Sequence, residues 1–151
     1  MSPEIRSLTE ADDSAVLALN NVEVPRVTML DEAAMARYRD VLNDALAIGP
    51  EGAPEAFCWT VGPGTDYWSA NYAWVEAHYE RFVYLDRVVV APRARGLGLA
   101  RALYDEVSAV SYTHLRAHET VLDLVCRLLL DKKKKTHNHT SVILLLLTRC
   151  C

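Results

Sequence analysis

The chain of 151 residues has little of what membrane-spanning and secreted proteins need. Its longest strictly apolar run is the segment 142–147, far short of the roughly 20 residues that span a bilayer. The N-terminus has no basic-then-apolar run of a signal peptide. The four cysteines form no CxxC spacing, so we expect no disulfide framework and no metal site. We therefore expect a cytoplasmic protein without a membrane partner, and the net charge of −4 argues against a nucleic-acid partner.

Lysine, glycine and proline are distributed unevenly along the chain. Residues 1–110 have no Lys, and their nine Arg against 17 acidic residues give a net charge of −8. Residues 111–151 have no Gly or Pro, and their four Lys and three Arg against three acidic residues give +4. Average usage would place roughly five Gly or Pro in such a segment. The break predicts an N-terminal part of one domain, 1–110, joined near Val110 to an atypical, non-native tail, 111–151.

Hydrophobic periodicity and turn signals predict a mixed α/β order of elements in residues 1–110. Thr9 and Asp12 have capping-box spacing before the first helix, and Asp31 is placed to cap the second. The strongest strand signal is β-branched and aromatic and ends at Pro92. The predicted order is strand, two helices, hairpin, short helix, strand and helix, over residues 3–9, 11–20, 32–42, 45–48 with 55–61, 71–82, 81–90 and 98–110.

A short basic glycine loop lies between the last strand and the last helix. The N–H groups at a helix N-terminus lack partners and carry a partial positive charge, so they bind anions, phosphates above all. Gly96 and Gly98 let a phosphate approach the backbone closely, and Arg93 and Arg95 add forked donors. These are the features of a pyrophosphate site. The alternative is a simple turn with solvated arginines.

Two common phosphate motifs do not fit this loop. The Walker A pattern needs Gly-Lys-Ser/Thr, and the loop has no Lys. The dinucleotide fingerprint GxGxxG needs a third glycine where Arg101 stands. What is present, Arg93-x-x-Gly96-x-Gly98, resembles the Q/R-x-x-G-x-G/A signature of the GNAT superfamily of N-acetyltransferases. The flanking "YLDRVVVAP" and "LARALYDEV", and the order of elements over 1–110, resemble the same family, and more narrowly a bacterial subgroup of unassigned substrate.

The resemblance implies an α/β (α+β) fold with a mixed, mainly antiparallel sheet flanked by helices, and direct transfer of acetyl from acetyl-CoA to a primary amine. No metal is implied. The central strand would bind the pantetheine arm and polarise the thioester, and the glycine loop would wrap the pyrophosphate. The implied cofactor-binding residues are Val88, Val89, Val90, Arg93, Arg95, Gly96, Leu97, Gly98, Leu99, Ala100 and Arg101.

A general base must accept a proton from the acceptor ammonium, directly or through water. Asp86 interrupts an apolar strand and is one candidate, with a structural ion pair as the alternative. Glu23 in "NNVEVP" is a second candidate, with a loop-fixing role as the alternative. Asn71, Tyr72 and Trp74 are candidates for the small-molecule or peptide acceptor pocket. Aromatic residues at that spacing also suit a core.

The segment 111–151 lacks what the resemblance requires after the glycine-loop helix. A further strand, helix and closing strand pair are missing, as is the tyrosine that protonates the departing thiolate. The stretch beginning "SYTHLRAHETVLDLVCRLLL" instead resembles translated adapter or vector sequence, so we expect the C-terminal half to be truncated and replaced by a helix. His114 and His118 are at i, i+4 without a third ligand, which does not favour a metal site. Two functions stay open: an active N-acetyltransferase, or a non-catalytic remnant that keeps only the pyrophosphate cradle.

Overall fold

The computed structural model of the protein describes residues 3–115 and 145–147. It is a mixed α+β fold with an antiparallel sheet, which confirms the predicted class at that level. The elements are β1 (Ile5–Ser7), α1 (Asp13–Val22), α2 (Glu32–Val41), β2 (Asp44–Ile48), β3 (Ala56–Val61), α3 (Ala70–His78), β4 (Phe82–Val90), α4 (Leu99–Leu115) and β5 (Leu145–Leu147).

The strands form one sheet in the order β1-β2-β3-β4-β5, and every neighbouring pair is antiparallel. The predicted hairpin is β2 and β3, where Leu46 pairs with Cys58. The short β5 pairs with β4 only from Phe82 to Tyr84. In the described residues, the rest of β4 therefore has a strand partner on one side alone.

Helices cover both faces of the sheet. One core cluster joins α1, α2 and α3 to the sheet around the fully buried Trp59 and Phe57. The other lies beneath α4, whose Leu99, Leu103 and Val107 are buried at the predicted i, i+4, i+8 spacing. The fold is thus a sheet between two helical layers.

The predicted cap forms at α2, whereas Thr9 and Asp12 cap a 3-10 turn, Glu10–Asp12, that precedes α1. Asp31 accepts a hydrogen bond from the Ala34 N–H at 2.7 Å and begins α2. Thr9 donates its N–H to Asp12 at 2.9 Å ahead of α1. The buried Asp12 carboxylate also accepts from both terminal nitrogens of Arg6, at 2.7 and 2.8 Å, and from the Gly52 N–H at 2.8 Å. This carboxylate joins the first strand to the β2–β3 turn.

A β-bulge interrupts β4 at Asp86. Trp59 of β3 pairs with Arg87, but the next residue, Thr60, pairs with Leu85, so Asp86 is the extra residue. Before the bulge, Tyr84 points to the face of α2; after it, Val89 does. The bulge shifts the side-chain alternation by one position.

The predicted boundary near Val110 lies inside a helix, since α4 continues to Leu115. From residue 116 onward, the helix expected from the tail sequence lies outside the described residues. His118 and the four lysines also lie outside them. Residues 145–147, the end of the apolar run, form β5 of the sheet. Across residues 3–115, no helix is long and apolar enough to cross a membrane.

Candidate functional site

A cavity of about 280 Å³ lies beside the part of the β4 edge that has no strand partner among the described residues. The end of α1 and the turn after it form one wall, and the first turns of α4 form the other. The residues that line it are Glu23, Arg26, Val27, Asp86, Arg87, Val88, Val89, Val90, Arg95, Ala100 and Tyr104. The structure thus brings together both predicted base candidates and five of the eleven predicted cofactor residues.

The edge of β4 offers backbone hydrogen-bonding groups to this cavity. The Ala91 N–H donates to the Glu55 carbonyl at 2.7 Å, so this pair is hydrogen-bonded across the ladder. Hydrogen-bonded and non-hydrogen-bonded pairs alternate in an antiparallel ladder. Val89 therefore also faces β3, whereas Val88 and Val90 direct their N–H and C=O groups away from it. No strand in the described residues pairs with Val88 or Val90 on that side.

The glycine loop leads directly into α4. Gly96 and Gly98 have φ of +82° and +77°, a region that L side chains rarely adopt. A Cβ at either position would meet nothing within 4 Å, so both glycines face open space. The Gly98 carbonyl accepts from the Ala102 N–H at 3.0 Å and opens the helix. The N–H groups of the first turn are left for an anion.

The loop arginines have different surroundings. Arg95 lines the cavity and forms an ion pair with Glu23. Arg93 instead lies 3.4 Å from Glu55, and Arg101 lies 3.9 Å from Asp105 on the exposed surface of α4. Neither Arg93 nor Arg101 lines the cavity. Their side chains would have to rotate to contact an anion bound there.

Other predicted loop residues also divide between core and surface. The Leu99 side chain is buried between α4 and the sheet, in the same cluster as Leu103. Leu97 is 68% exposed at the tip of the loop. Ala100, one turn before Tyr104, faces the cavity. Of the predicted cofactor residues after Gly96, Ala100 is the one that the structure places in the cavity wall.

Asp86 is the centre of a buried hydrogen-bond network. Its carboxylate accepts from the indole N–H of Trp59 at 3.0 Å, from the Tyr67 hydroxyl and from the Arg87 Nε at 2.8 Å. Arg87 also donates to the Tyr38 hydroxyl at 2.6 Å and to the Asn20 Oδ1 at 2.8 Å. This is the structural ion pair that the sequence left open, although Asp86 also touches the cavity.

Glu23 lies in a tight turn at the cavity mouth. Its carbonyl accepts from the Arg26 N–H at 2.7 Å, and its carboxylate accepts from the Arg26 Nη1 at 3.2 Å and from Arg95. The Glu23 side chain is 12% exposed, against 58% for Arg26. The carboxylate is thus the inner group of this pair and the guanidinium the outer one.

The three predicted acceptor residues lie away from the cavity. The Tyr72 ring is buried among Tyr67, Phe82 and Tyr84, because it faces the sheet from α3. Its hydroxyl donates to the Gly62 carbonyl at 2.7 Å, and burial raises its pKa. Asn71 and Trp74 lie on the exposed side of α3, where Trp74 stacks on His78 at 4.2 Å.

Sequence reasoning missed four cavity residues: Arg26, Val27, Arg87 and Tyr104. Arg26 is three residues after Glu23, and Tyr104 is four after Ala100, so a one-turn extension of the predicted site would have found both. Burial, with the nearby Cys58 as a smaller cause, raises the pKa of Tyr104 to about 12. Its phenol is therefore neutral at physiological pH.

The described residues contain no group of three or more His, Cys, Asp or Glu side chains that could hold a metal ion. The cavity is accordingly a site of arginine, carboxylate, phenol and backbone groups. Comparison with known proteins adds no name to it: no protein-family model, curated protein or solved structure matches this chain.

Proposed function

We propose that this protein is an N-acetyltransferase that transfers acetyl directly from acetyl-CoA to a primary amine. One observation carries the proposal. The strand edge at Val88 and Val90, which no strand of the described residues covers, and the glycine-loop end of α4 open beside the same cavity. The strand edge suits an extended chain of amides, and the glycine-loop end of α4 suits a pyrophosphate.

The pantetheine arm of coenzyme A contains two amide bonds in an extended chain. Such a chain can add to an open strand edge through main-chain hydrogen bonds, as an extended peptide does. Gly96 and Gly98 leave space for a pyrophosphate at the first turn of α4, where the helix dipole favours negative charge. Arg95 adds a cation at the cavity end of the loop, and its forked donors suit phosphate as well as Glu23.

In the proposed reaction the amine nitrogen forms a bond to the acetyl carbon, and the carbon–sulfur bond breaks with its electron pair passing to sulfur. The ammonium loses two protons: one is released to solvent through a base, and the other ends on the sulfur. An N–H from Val88 or Val90 would stabilise the developing oxyanion. Glu23 is the better placed base, because its two partners, Arg26 and Arg95, are exposed side chains, whereas Asp86 is held by three hydrogen bonds in the buried network.

Calorimetric titration of acetyl-CoA into the 151-residue chain tests the proposal. We expect saturable binding at micromolar concentration and release of free coenzyme A when an amine is added. Gly98→Asp and Gly98→Asn form a matched pair, because Asp and Asn tolerate positive φ similarly and differ in charge. We expect Gly98→Asp to weaken binding by about tenfold more than Gly98→Asn, through repulsion of the pyrophosphate.

Acetyl-pantetheine, which lacks the pyrophosphate, is the control ligand. Its weaker binding should respond equally to the two Gly98 variants. A folded protein, judged by circular dichroism, that does not bind acetyl-CoA would contradict the proposal. Binding without turnover of any amine would support the alternative of a non-catalytic protein that keeps the cofactor cradle.

A further inference from the structure

We infer that the acceptor is a zwitterion, a free amino acid whose ammonium faces Glu23 and whose carboxylate faces Arg26. This inference rests on the proposed acetyl transfer, because it names the substrate class for the same cavity. It is carried by the pairing of these two side chains in one turn at the cavity mouth.

The charged residues of the cavity leave one pair available to an acceptor. Three arginines and two carboxylates line it: Arg26, Arg87, Arg95, Glu23 and Asp86. Asp86 and Arg87 neutralise each other in the buried network. Arg95 belongs to the glycine loop and would turn to the pyrophosphate. Glu23 and Arg26 then face the acceptor.

A zwitterion satisfies this pair better than a simple amine does. The Glu23 carboxylate and the Arg26 guanidinium are 3.2 Å apart, a spacing comparable to that between the two charged groups of an amino acid. A monocationic amine, such as a polyamine end or a lysine side chain, would pair with Glu23 but leave its positive charge beside Arg26. An α-carboxylate turns that repulsion into a forked hydrogen-bonding contact.

The depths of the two side chains set the orientation of the acceptor. Glu23 is the inner group at 12% exposure, and Arg26 is the outer group at 58%. The amine would therefore point inward to the β4 edge at Val88 and Val90, where the thioester is expected. The carboxylate would stay near solvent.

The same turn offers an apolar surface for a side chain. Val27 lines the cavity, and Val24 is 42% exposed in the turn itself. Val22 and Met29, at either end of this segment, are also exposed. We therefore take leucine as the probe amino acid.

Three acceptors separate the contribution of the carboxylate from that of the amine and the side chain: leucine, leucinamide and isoamylamine. Leucinamide keeps the amine but lacks the carboxylate charge, and its amine is less basic, so intrinsic reactivity at neutral pH favours it. Isoamylamine has the same side chain and no carboxyl group. We expect kcat/KM for leucine to exceed both by about tenfold or more, as suits one charge-assisted contact.

Arg26→Gln should lower the ratio of kcat/KM for leucine to kcat/KM for isoamylamine about tenfold, because only leucine has a carboxylate that loses its partner. Arg26→Lys should restore part of the loss by keeping the charge. Arg37→Gln is the matched control, since Arg37 lies on α2, stacks over the Trp68 ring and does not line the cavity.

The possible results separate the two proposals. If acetyl-CoA does not bind the folded wild-type protein, the proposed function fails and this inference fails with it. If acetyl-CoA binds but leucine is not acetylated, or is acetylated no faster than isoamylamine, the zwitterionic acceptor is wrong while the cofactor assignment stands. An Arg26→Gln variant with an unchanged preference for leucine would also overturn the inference.

Discussion

Asp86 and Arg87 are consecutive residues of β4, yet their side chains form an ion pair, with the Arg87 Nε 2.8 Å from the Asp86 Oδ2. In a regular strand successive side chains point to opposite faces. The bulge at Asp86 removes that alternation, so both side chains turn to the face covered by α2. The guanidinium also lies 4.9 Å from the centre of the Tyr38 ring and 5.0 Å from that of Trp59. The bulge thereby holds a charge pair beneath the cavity.

Removing the charge of Asp86 should destabilise the protein strongly. Asp86→Asn leaves the buried Arg87 guanidinium without a counter-charge, and breaking such a pair typically costs about 3–5 kcal/mol. Urea unfolding at pH 7, followed by circular dichroism, measures the free energy of unfolding. The double variant Asp86→Asn/Arg87→Met removes both charges and should recover at least half of the loss. A cost below about 1 kcal/mol for the single variant would contradict the ion-pair role.

Acid should destabilise the protein through Asp12. Hydrogen bonding from Arg6 is the largest cause that holds the pKa of Asp12 well below its ordinary value of 3.8. The folded state therefore binds fewer protons than the unfolded state as the pH falls below about 4. The stability that Asp12 contributes is present above that pH and is lost as the pH decreases further toward the folded-state pKa. Urea midpoints measured at pH 7, 4 and 3 follow this loss.

Asp12→Asn should have a lower urea midpoint at pH 7 and a flatter decline toward pH 3 than the wild type. Asp105→Asn is the control, because the Asp105 side chain is 75% exposed in its ion pair with Arg101. It should follow the wild-type curve. Parallel curves for Asp12→Asn and the wild type would show that Asp12 does not cause the acid sensitivity.

The packing of α4 against the sheet should depend on Leu103. Its side chain is fully buried, and truncation to Ala leaves a cavity that typically costs about 2–5 kcal/mol. Leu97→Ala is the matched control, since the same deletion at a 68% exposed position should change the free energy of unfolding by less than about 0.5 kcal/mol. Thermal and urea unfolding of both variants would measure the difference. Equal losses of unfolding free energy in the two variants would contradict this packing of α4 against the sheet.

Cys58 should be unreactive in the folded protein. It is a free, fully buried cysteine, and burial raises its pKa to about 12, so almost no thiolate is present at pH 8. Iodoacetamide at pH 8, followed by peptide mapping, should leave Cys58 unmodified in the native protein and alkylate it in concentrated urea. Modification of native Cys58 at the rate seen in urea would contradict its burial.

Local sequence signals predicted most elements of the described fold. The β2–β3 hairpin follows from two apolar runs around a Gly/Pro turn, and α2 begins directly after Asp31 because an aspartate at the N-cap can accept the Ala34 N–H. The three buried residues of α4 follow from their spacing alone. These features depend on interactions between residues close in sequence or on the spacing of apolar residues. Both can be seen in a single amino-acid sequence.

The sequence was less informative wherever a distant residue determines the environment. The sequence left Asp86 open between a base and an ion-pair partner, and only the structure shows Trp59 and Tyr67 hydrogen-bonded to its carboxylate. The sequence left Tyr72 open between a pocket residue and a core residue, and in the structure its side of α3 packs on the sheet. The GNAT resemblance, the domain boundary and the roles of the predicted site residues stay predictions.

By itself the sequence determined the order of the elements from β1 to α4, the cap of α2, the inward face of α4 and the glycines before it, because each depends on short-range geometry or on the size and polarity of one side chain. Only the tertiary structure decided which groups meet. Glu23 and Arg95 are 72 residues apart and pair at the cavity, and Arg87 reaches Asn20 across 67 residues. Such contacts depend on how the sheet twists, where β4 bulges and which helix covers each face, and no local pattern encodes these.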